Sequence, residues 1–223
     1  MPAATVVVLR DGPTGLETLM LRRNSRIAFG GMWVFPGGRI DEADHEAARA
    51  AGRPGLEGAA RHAAAREAGE EAALVVDPAT LVPFAHWVPP PIAPKRFATW
   101  FFAARAGTET VEIDRGEIVH HQWMRPADAL TRRDAGEIEL APPTWVTLHT
   151  LSAHADVDAA LAALAAGPVR RYRTRVARLP EGPVALWEGD AGYESADPTR
   201  PGPRHRLVMA ADGFRFHDDG APR

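Results

Sequence analysis

Cysteine is missing altogether from the 223 residues, which excludes disulfides, thiolate metal ligands and the redox chemistry of paired thiols. A long apolar run is missing too. The N-terminal stretch from Ala3 to Leu9 is too short to span a bilayer, and it lacks the basic start and extended apolar region of a secretion signal. A cytoplasmic location and no membrane partner are therefore expected. Nor is there a basic excess. A formal net charge of −3 provides no field for nucleic acid, and an anionic small molecule would need local help from a metal ion or arginines. Internal repeats and flexible linkers are also absent. What remains is an ordinary globular composition, 45% hydrophobic and 25% charged, in a chain longer than the roughly 150 residues of a common domain. One core with an appendage is expected: a body over 1–167 and a β-rich extension over 168–223 packed on it, since about 55 residues make a marginal independent core.

The pattern along the chain mixes hairpins with strand-helix alternation. Thr5–Leu9 and Glu17–Arg22 read as strands around the turn cluster Asp11-Gly12-Pro13, and Ile27–Arg39 as a loop entering a short strand that stops at Gly37-Gly38. Asp41–Glu57 is charged and broken by Gly52, Pro54 and Gly55, giving a short helix and a surface loop. Ala59–Leu74 has no proline and is dense in alanine, arginine and glutamate, which predicts a helix despite Gly69. Strands are predicted at Leu81–Val88, Phe97–Arg105 and Glu117–Met124. Helices follow from Pro126, from a cap at Thr144 and over Val157–Ala166, then short strands at Arg173–Ala177, Pro183–Trp187 and His205–Met209. The class expected is α/β, an α/β/α sandwich on a mixed sheet.

Chemistry concentrates in Arg66-Glu67-Ala68-Gly69-Glu70-Glu71. Spacing of i, i+3 and i+4 puts three carboxylates on one helical face within a turn, which is repulsive unless a cation intervenes. Hard divalent ions such as Mg²⁺ or Mn²⁺ prefer oxygen ligands of this kind. A solvated acidic face is the alternative for the hexapeptide alone.

The segment does not stand alone. It resembles the second half of the Nudix box, whose pattern is Gly, five residues, Glu, seven residues, then Arg-Glu-aliphatic-x-Glu-Glu-x-Gly-aliphatic. Gly38 matches the opening glycine, Asp44 stands at the first Glu, and Arg66-Glu67, Glu70-Glu71 and Leu74 fall in their places. Twenty-one residues separate Asp44 from Arg66 where the pattern has seven, an interruption centred on Gly52-Arg53-Pro54-Gly55. Such an insertion costs little, about 0.6 kcal/mol per doubling of loop length. Ala73 replaces the terminal glycine of the box. The resemblance extends over roughly residues 3 to 130, and Leu140-Ala141-Pro142-Pro143-Thr144 resembles an interrupted-box subgroup related to peroxisomal coenzyme A diphosphatases.

That resemblance implies a Nudix-like sandwich over 1–167 and a site with named parts. Glu67 and Glu71 would ligate Mg²⁺ or Mn²⁺ directly, Glu70 directly or through water, and Gly37 through its carbonyl. Arg66 would pair with Glu67 or Asp44 and orient the carboxylates. Glu117 is the candidate for a carboxylate from outside the helix, as general base or further ligand, with Glu112 and Asp114 close enough to compete. His120 and His121 point to opposite faces of a strand. Arg22, Arg23, Lys95 and Arg96 are the cations near the predicted cleft.

The function implied is hydrolysis of a nucleoside diphosphate linked to another group, a small nucleotide-type substrate. Coenzyme A or acyl-coenzyme A is preferred, although Ile27 stands where that branch has an arginine. ADP-ribose, NADH and dinucleoside polyphosphates are further candidates. A fold of this type that senses a nucleotide without chemistry is the alternative of a different class, and an acidic interaction helix is a third. A homodimer is the default assembly.

Overall fold

The computed structural model describes residues 1–24, 31–93 and 96–219. Ile27 and Lys95 lie outside them. The chain opens with the expected hairpin, β1 (Pro2–Gly12) against β2 (Gly15–Arg23), with Gly12 opposite Gly15. Gly15 has φ of +121°, a backbone conformation that side chains other than glycine rarely adopt. Along β1, Val6 and Val8 face one side of the sheet and Val7 and Leu9 the other, and all four are buried. A strand covered on both faces belongs at the centre of a layered fold.

Around β1 the sheet is mixed, as expected. Its order is β3 (Trp33–Val34), β2, β1, β6 (Ala98–Arg105), β5 (Val82–Val88), β8 (Arg170–Arg173), with β4 (Gly37–Arg39) also pairing β1 and β7 (Ile118–Met124) pairing β2. The β1–β6 and β5–β8 pairs are parallel and the others antiparallel.

One face carries α2 (Leu56–Ala72), with α1 (Glu42–Ala50) packed alongside it. Ala60, Ala63, Ala64, Ala68 and Ala72 are fully buried against Val6, Val8, Leu19, Leu21 and Phe102, so short side chains let the helix lie close to the sheet. As expected, the residues between Asp44 and Arg66 form a short helix and a loop: they complete α1, cross the exposed turn at 51–55 and supply the first half of α2. Ala73 ends the helix in the left-handed conformation, φ 54°, and its N–H and that of Leu74 close on Gly69 and Ala68. The termination survives loss of the usual glycine, at a steric cost of about 1 kcal/mol.

The opposite face is covered by α4 (Pro142–Leu151), α5 (Val157–Ala166) and a second sheet. That sheet is antiparallel, in the order β12 (Gly213–Asp218), β11 (His205–Ala210), β10 (Gly182–Leu186), β9 (Arg175–Leu179). Ala185 and Leu207 from it, with Trp187 just past the end of β10, join Trp87, Phe101 and Trp145 in one hydrophobic cluster. Two local expectations need correction. The predicted strand Arg173–Ala177 is two strands broken at Thr174, because β8 leaves to pair with β5 while β9 stays with β10. Thr144 is not a cap: α4 starts at Pro142 behind Ala141, proline being suited to a first turn whose N–H groups have no helical partner, and Thr144 is buried inside the helix. α3 (Pro126–Asp134) starts with proline as expected, and β12 had no counterpart in the sequence reading.

Candidate active site

Two glycines on β4 bring the strand against its neighbours. A Cβ on Gly37 would collide with the backbone of Ala4 and Thr5, and one on Gly38 with the carboxylate of Glu67. Close approach, not turn geometry, is what requires them. The Gly37 N–H donates to Glu71 Oε2 at 2.9 Å, tying the last turn of α2 to this strand.

Arg66 organises the rest. Its guanidinium donates to both oxygens of Asp44 (3.2 and 3.1 Å), to Glu67 Oε1 (2.9 Å), to Glu70 Oε2 (3.0 Å) and to the Arg39 carbonyl (2.9 Å). Pairing with both Asp44 and Glu67 exceeds the either-or expected from sequence. Asp44 is buried and also accepts the Asp41 N–H at 2.9 Å, so it braces the start of α1 and the arginine together. The aspartate at the box's first Glu position thus has a clear structural part.

Glu117 arrives from the loop after β6. Asp114 accepts the N–H groups of Glu117 and Ile118, both at 2.9 Å, and so builds the turn that presents Glu117 to Arg23 at 2.7 Å. This separates the three competing acids: Asp114 serves the backbone, the Glu112 N–H caps the Ala72 carbonyl, and Glu117 pairs with Arg23 near enough to Glu67 and Glu71 for its charge to act on both. The Asp-x-x-Glu spacing was a readable signal for that turn. Strand alternation sends Arg22 to the other face, opposite Trp33 and His120, so of the two adjacent arginines Arg23 alone reaches the site. Arg96 is exposed, and its carbonyl accepts the N-terminal amine at 2.7 Å. His120 packs edge-on to Trp33, while His121 lies opposite Leu21 on the α2 side.

The electrostatics report a shortage of positive charge. Burial raises the Glu67 carboxyl above its ordinary value, against the pull of Arg66 and with a further push from Glu70 and Glu117. Burial likewise pushes Glu71 up to about 7, opposed by the Gly37 N–H and Arg23 and reinforced by Glu67 and Glu117. Among the described residues no three acidic or histidine side chains already stand at metal-binding spacing. Arg66 holds Glu67 and Glu70, and Gly37 holds Glu71. The donor set nevertheless fits a hard divalent cation: oxygen ligands, with Glu71 buried and Glu67 half-buried, whose ionised forms are disfavoured until positive charge arrives.

A family model described as the NUDIX domain matches residues 1–146, from the start of β1 into α4. The chain belongs to this family. Among solved structures it is similar to a NUDIX hydrolase from Alicyclobacillus acidocaldarius, with 26% identity and a TM-score of 0.64 over 75% of this chain and 97% of that one. It is also similar to the NUDIX domain of Shewanella oneidensis NrtR complexed with ADP ribose, with 20% identity and a TM-score of 0.51 over 67% and 84% of the two chains. The second likeness concerns the fold alone. No curated protein matches the chain. Among the described residues no helix is long and apolar enough to cross a membrane. The NUDIX match ends within α4, so α5, β8 and the second sheet lie beyond it.

Proposed function

We propose that this NUDIX protein is a divalent-metal-dependent diphosphatase, hydrolysing a nucleoside diphosphate linked to another group with Mg²⁺ or Mn²⁺. The observation that carries the reading is the meeting of Glu67 and Glu71, from one face of α2, with the Gly37-Gly38 strand. Glu67, Glu71 and the Gly37 carbonyl would hold the ion, with Glu70 joining directly or through water. When bound, it would neutralise diphosphate oxygens, polarise phosphorus and lower the pKa of a bound water.

The chain's own residues supply orientation and proton handling. Arg66 fixes the carboxylate side chains against α1. Glu117, held by Arg23 beside the cluster, is the base best placed to take the water's proton as its oxygen bonds to phosphorus. The bridging P–O bond then breaks, and its electron pair leaves on a phosphate-terminated product. Coenzyme A or acyl-coenzyme A is the favoured substrate on the resemblance at Leu140–Thr144.

Glu70→Gln and Glu71→Gln test the reading with Mg²⁺ on a panel of coenzyme A, ADP-ribose, NADH and dinucleoside polyphosphates, with products identified by mass. Turnover is expected to fall by about two to three powers of ten in each variant. Binding of a nucleotide with no magnesium-dependent product from any member would favour a sensing module instead. Unchanged turnover in both variants would remove the cluster from the mechanism.

A further inference from the structure

A cavity of about 620 Å³ opens on the α2 side of the sheet, away from the carboxylates, bordered by Arg10, Arg105, Gly107, Val111, His121 and Trp123. Its floor follows from strand register. Leu19 and Leu21 lie in the core under α2, and Trp123 and His121 stand directly opposite them on β7, so both rings share that face. Arg10 continues the Val6, Val8 row of β1 onto it.

These residues form a layered platform. The Arg10 guanidinium lies over the Trp123 ring at 4.3 Å from its centroid, and Glu17 grips it from the side at 2.7 Å. The arginine side chain is still 42% exposed, so the group that Glu17 and Trp123 hold remains open to a ligand. A guanidinium held over an indole offers a stacking surface for a planar heterocycle, with cation–π character in addition. Arg105 at the rim is paired with Asp11 and Asp158, and Asp11 and Glu109 also border the cavity, so the walls carry both signs. That balance suits a ring with mixed donors and acceptors better than a second cluster of phosphates.

One chain segment links the cavity wall to the carboxylate site. Residues 106–117 form one wall at Gly107 and Val111, tie to the end of α2 through the Glu112 N–H and the Ala72 carbonyl, and end at Glu117 beside Arg23. From Leu19, opposite Trp123, to Arg23 is four strand residues, roughly 13 Å.

We propose that this cavity receives the planar base of the substrate, stacked on the Arg10–Trp123 platform while the diphosphate lies at the carboxylates. The inference rests on the diphosphatase reading for what the base is attached to. It predicts selection for substrates with an aromatic heterocycle on an extended arm over compact diphosphates, and it makes Trp123 and His121 specificity residues.

The test measures binding by calorimetry, on full-length protein in EDTA, of adenosine 5′-monophosphate and of ribose 5-phosphate, which lacks the ring. Wild type should bind the first more tightly than the second. Trp123→Leu, which keeps apolar bulk in the core, and His121→Ala should each lower that affinity, by about tenfold for Trp123→Leu, and leave the weak binding of ribose 5-phosphate unchanged. With metal and an adenine-bearing substrate the same variants should raise KM with kcat nearly unaltered. Equal binding of the two probes by wild type, or adenosine 5′-monophosphate binding indifferent to both variants, would overturn the proposal. Because these binding measurements need no turnover, failure of the Glu71→Gln test would sink the diphosphatase reading while leaving the cavity result legible on its own.

Discussion

Gly38 shows how narrowly the carboxylate cluster is built. The atoms a Cβ would meet there belong to the far end of the Glu67 side chain, which can swing aside, whereas at Gly37 they include the backbone of Ala4 and Thr5 in β1 as well as the Thr5 hydroxyl. Gly38→Ala should therefore leave a folded protein with a displaced carboxylate, and turnover should fall about a hundredfold, the usual scale for a misplacement near 1 Å. Circular dichroism together with steady-state kinetics checks this; a loss of fold equal to the loss of activity would contradict it. Arg66 is the other residue with leverage, since one guanidinium joins Asp44, Glu67, Glu70 and the Arg39 carbonyl. Lysine keeps the charge but has no planar fork. Arg66→Lys should lose about 10- to 100-fold in turnover at saturating metal, with apparent metal affinity weakened as well. An Arg66→Lys enzyme with wild-type kinetics would reduce that residue to a surface cation.

At the scale of elements, α2 carries two departures from the best helical sequence, and both can be measured. Gly69 sits inside the helix with nothing closer to its missing Cβ than the Leu74 carbonyl oxygen at 3.7 Å, so Gly69→Ala should stabilise the protein by about 1 kcal/mol. Ala73 holds a left-handed conformation, and Ala73→Gly should recover about 1 kcal/mol there. Urea unfolding midpoints at constant slope report both changes, and a decrease in either would mean that packing at that position outweighs backbone preference. The helix itself was readable because its composition and its i, i+3, i+4 carboxylates are local facts. The interruption was readable in part: the short helix and the loop at Gly52, Pro54 and Gly55 were expected and are found, whereas the packing of α1 along α2 joins two segments that residue order does not pair.

For the molecule as a whole, the second sheet is bound to the first by buried aromatics. Trp87 stacks on Tyr172 with centroids 3.8 Å apart, and Trp187 meets both edge-on. We expect a chain ending at residue 167 to lose β8 and uncover this cluster, giving an aggregating or loosely packed product in gel filtration and near-UV dichroism; a monodisperse, active fragment would show that 168–223 is dispensable. Within the second sheet, Asp190 forms a buried two-point pair with Arg206, both contacts at 2.6 Å. Burial pushes the Asp190 carboxyl up, but Arg206 and the N–H groups of His205 and Gly192 outweigh it and hold the pKa below 3.8. A pKa depressed by folding contributes stability that is present above the unfolded value of 3.8 and lost as pH falls through the folded one. His205, kept neutral mainly by burial, has the same sign from a higher starting point, so its contribution begins to fall below pH 6.5. Asp190→Asn should cost about 3 to 5 kcal/mol at pH 7 by leaving Arg206 unpaired, and it should remove the acid step below pH 3.8. Unfolding by urea across pH 3 to 8 reads both.

The division between readable and unreadable follows the range of the interactions. Three carboxylates on one helical face, glycines before them, a hairpin around Asp11-Gly12-Pro13 and alternation in β1 depend on neighbours a few positions apart, so residue order alone determined them. The family resemblance used the same short-range spacing, which is why it survived a long interruption. Everything that required two distant segments to meet was decided by packing: Arg23 with Glu117, the parallel pairing of β1 with β6, the departure of β8 from β9 at Thr174, and Arg10 over Trp123. Many residues of each type could have made those contacts. Which ones do is set by strand register and by competition for burial, quantities that exist only once the sheet has closed around β1.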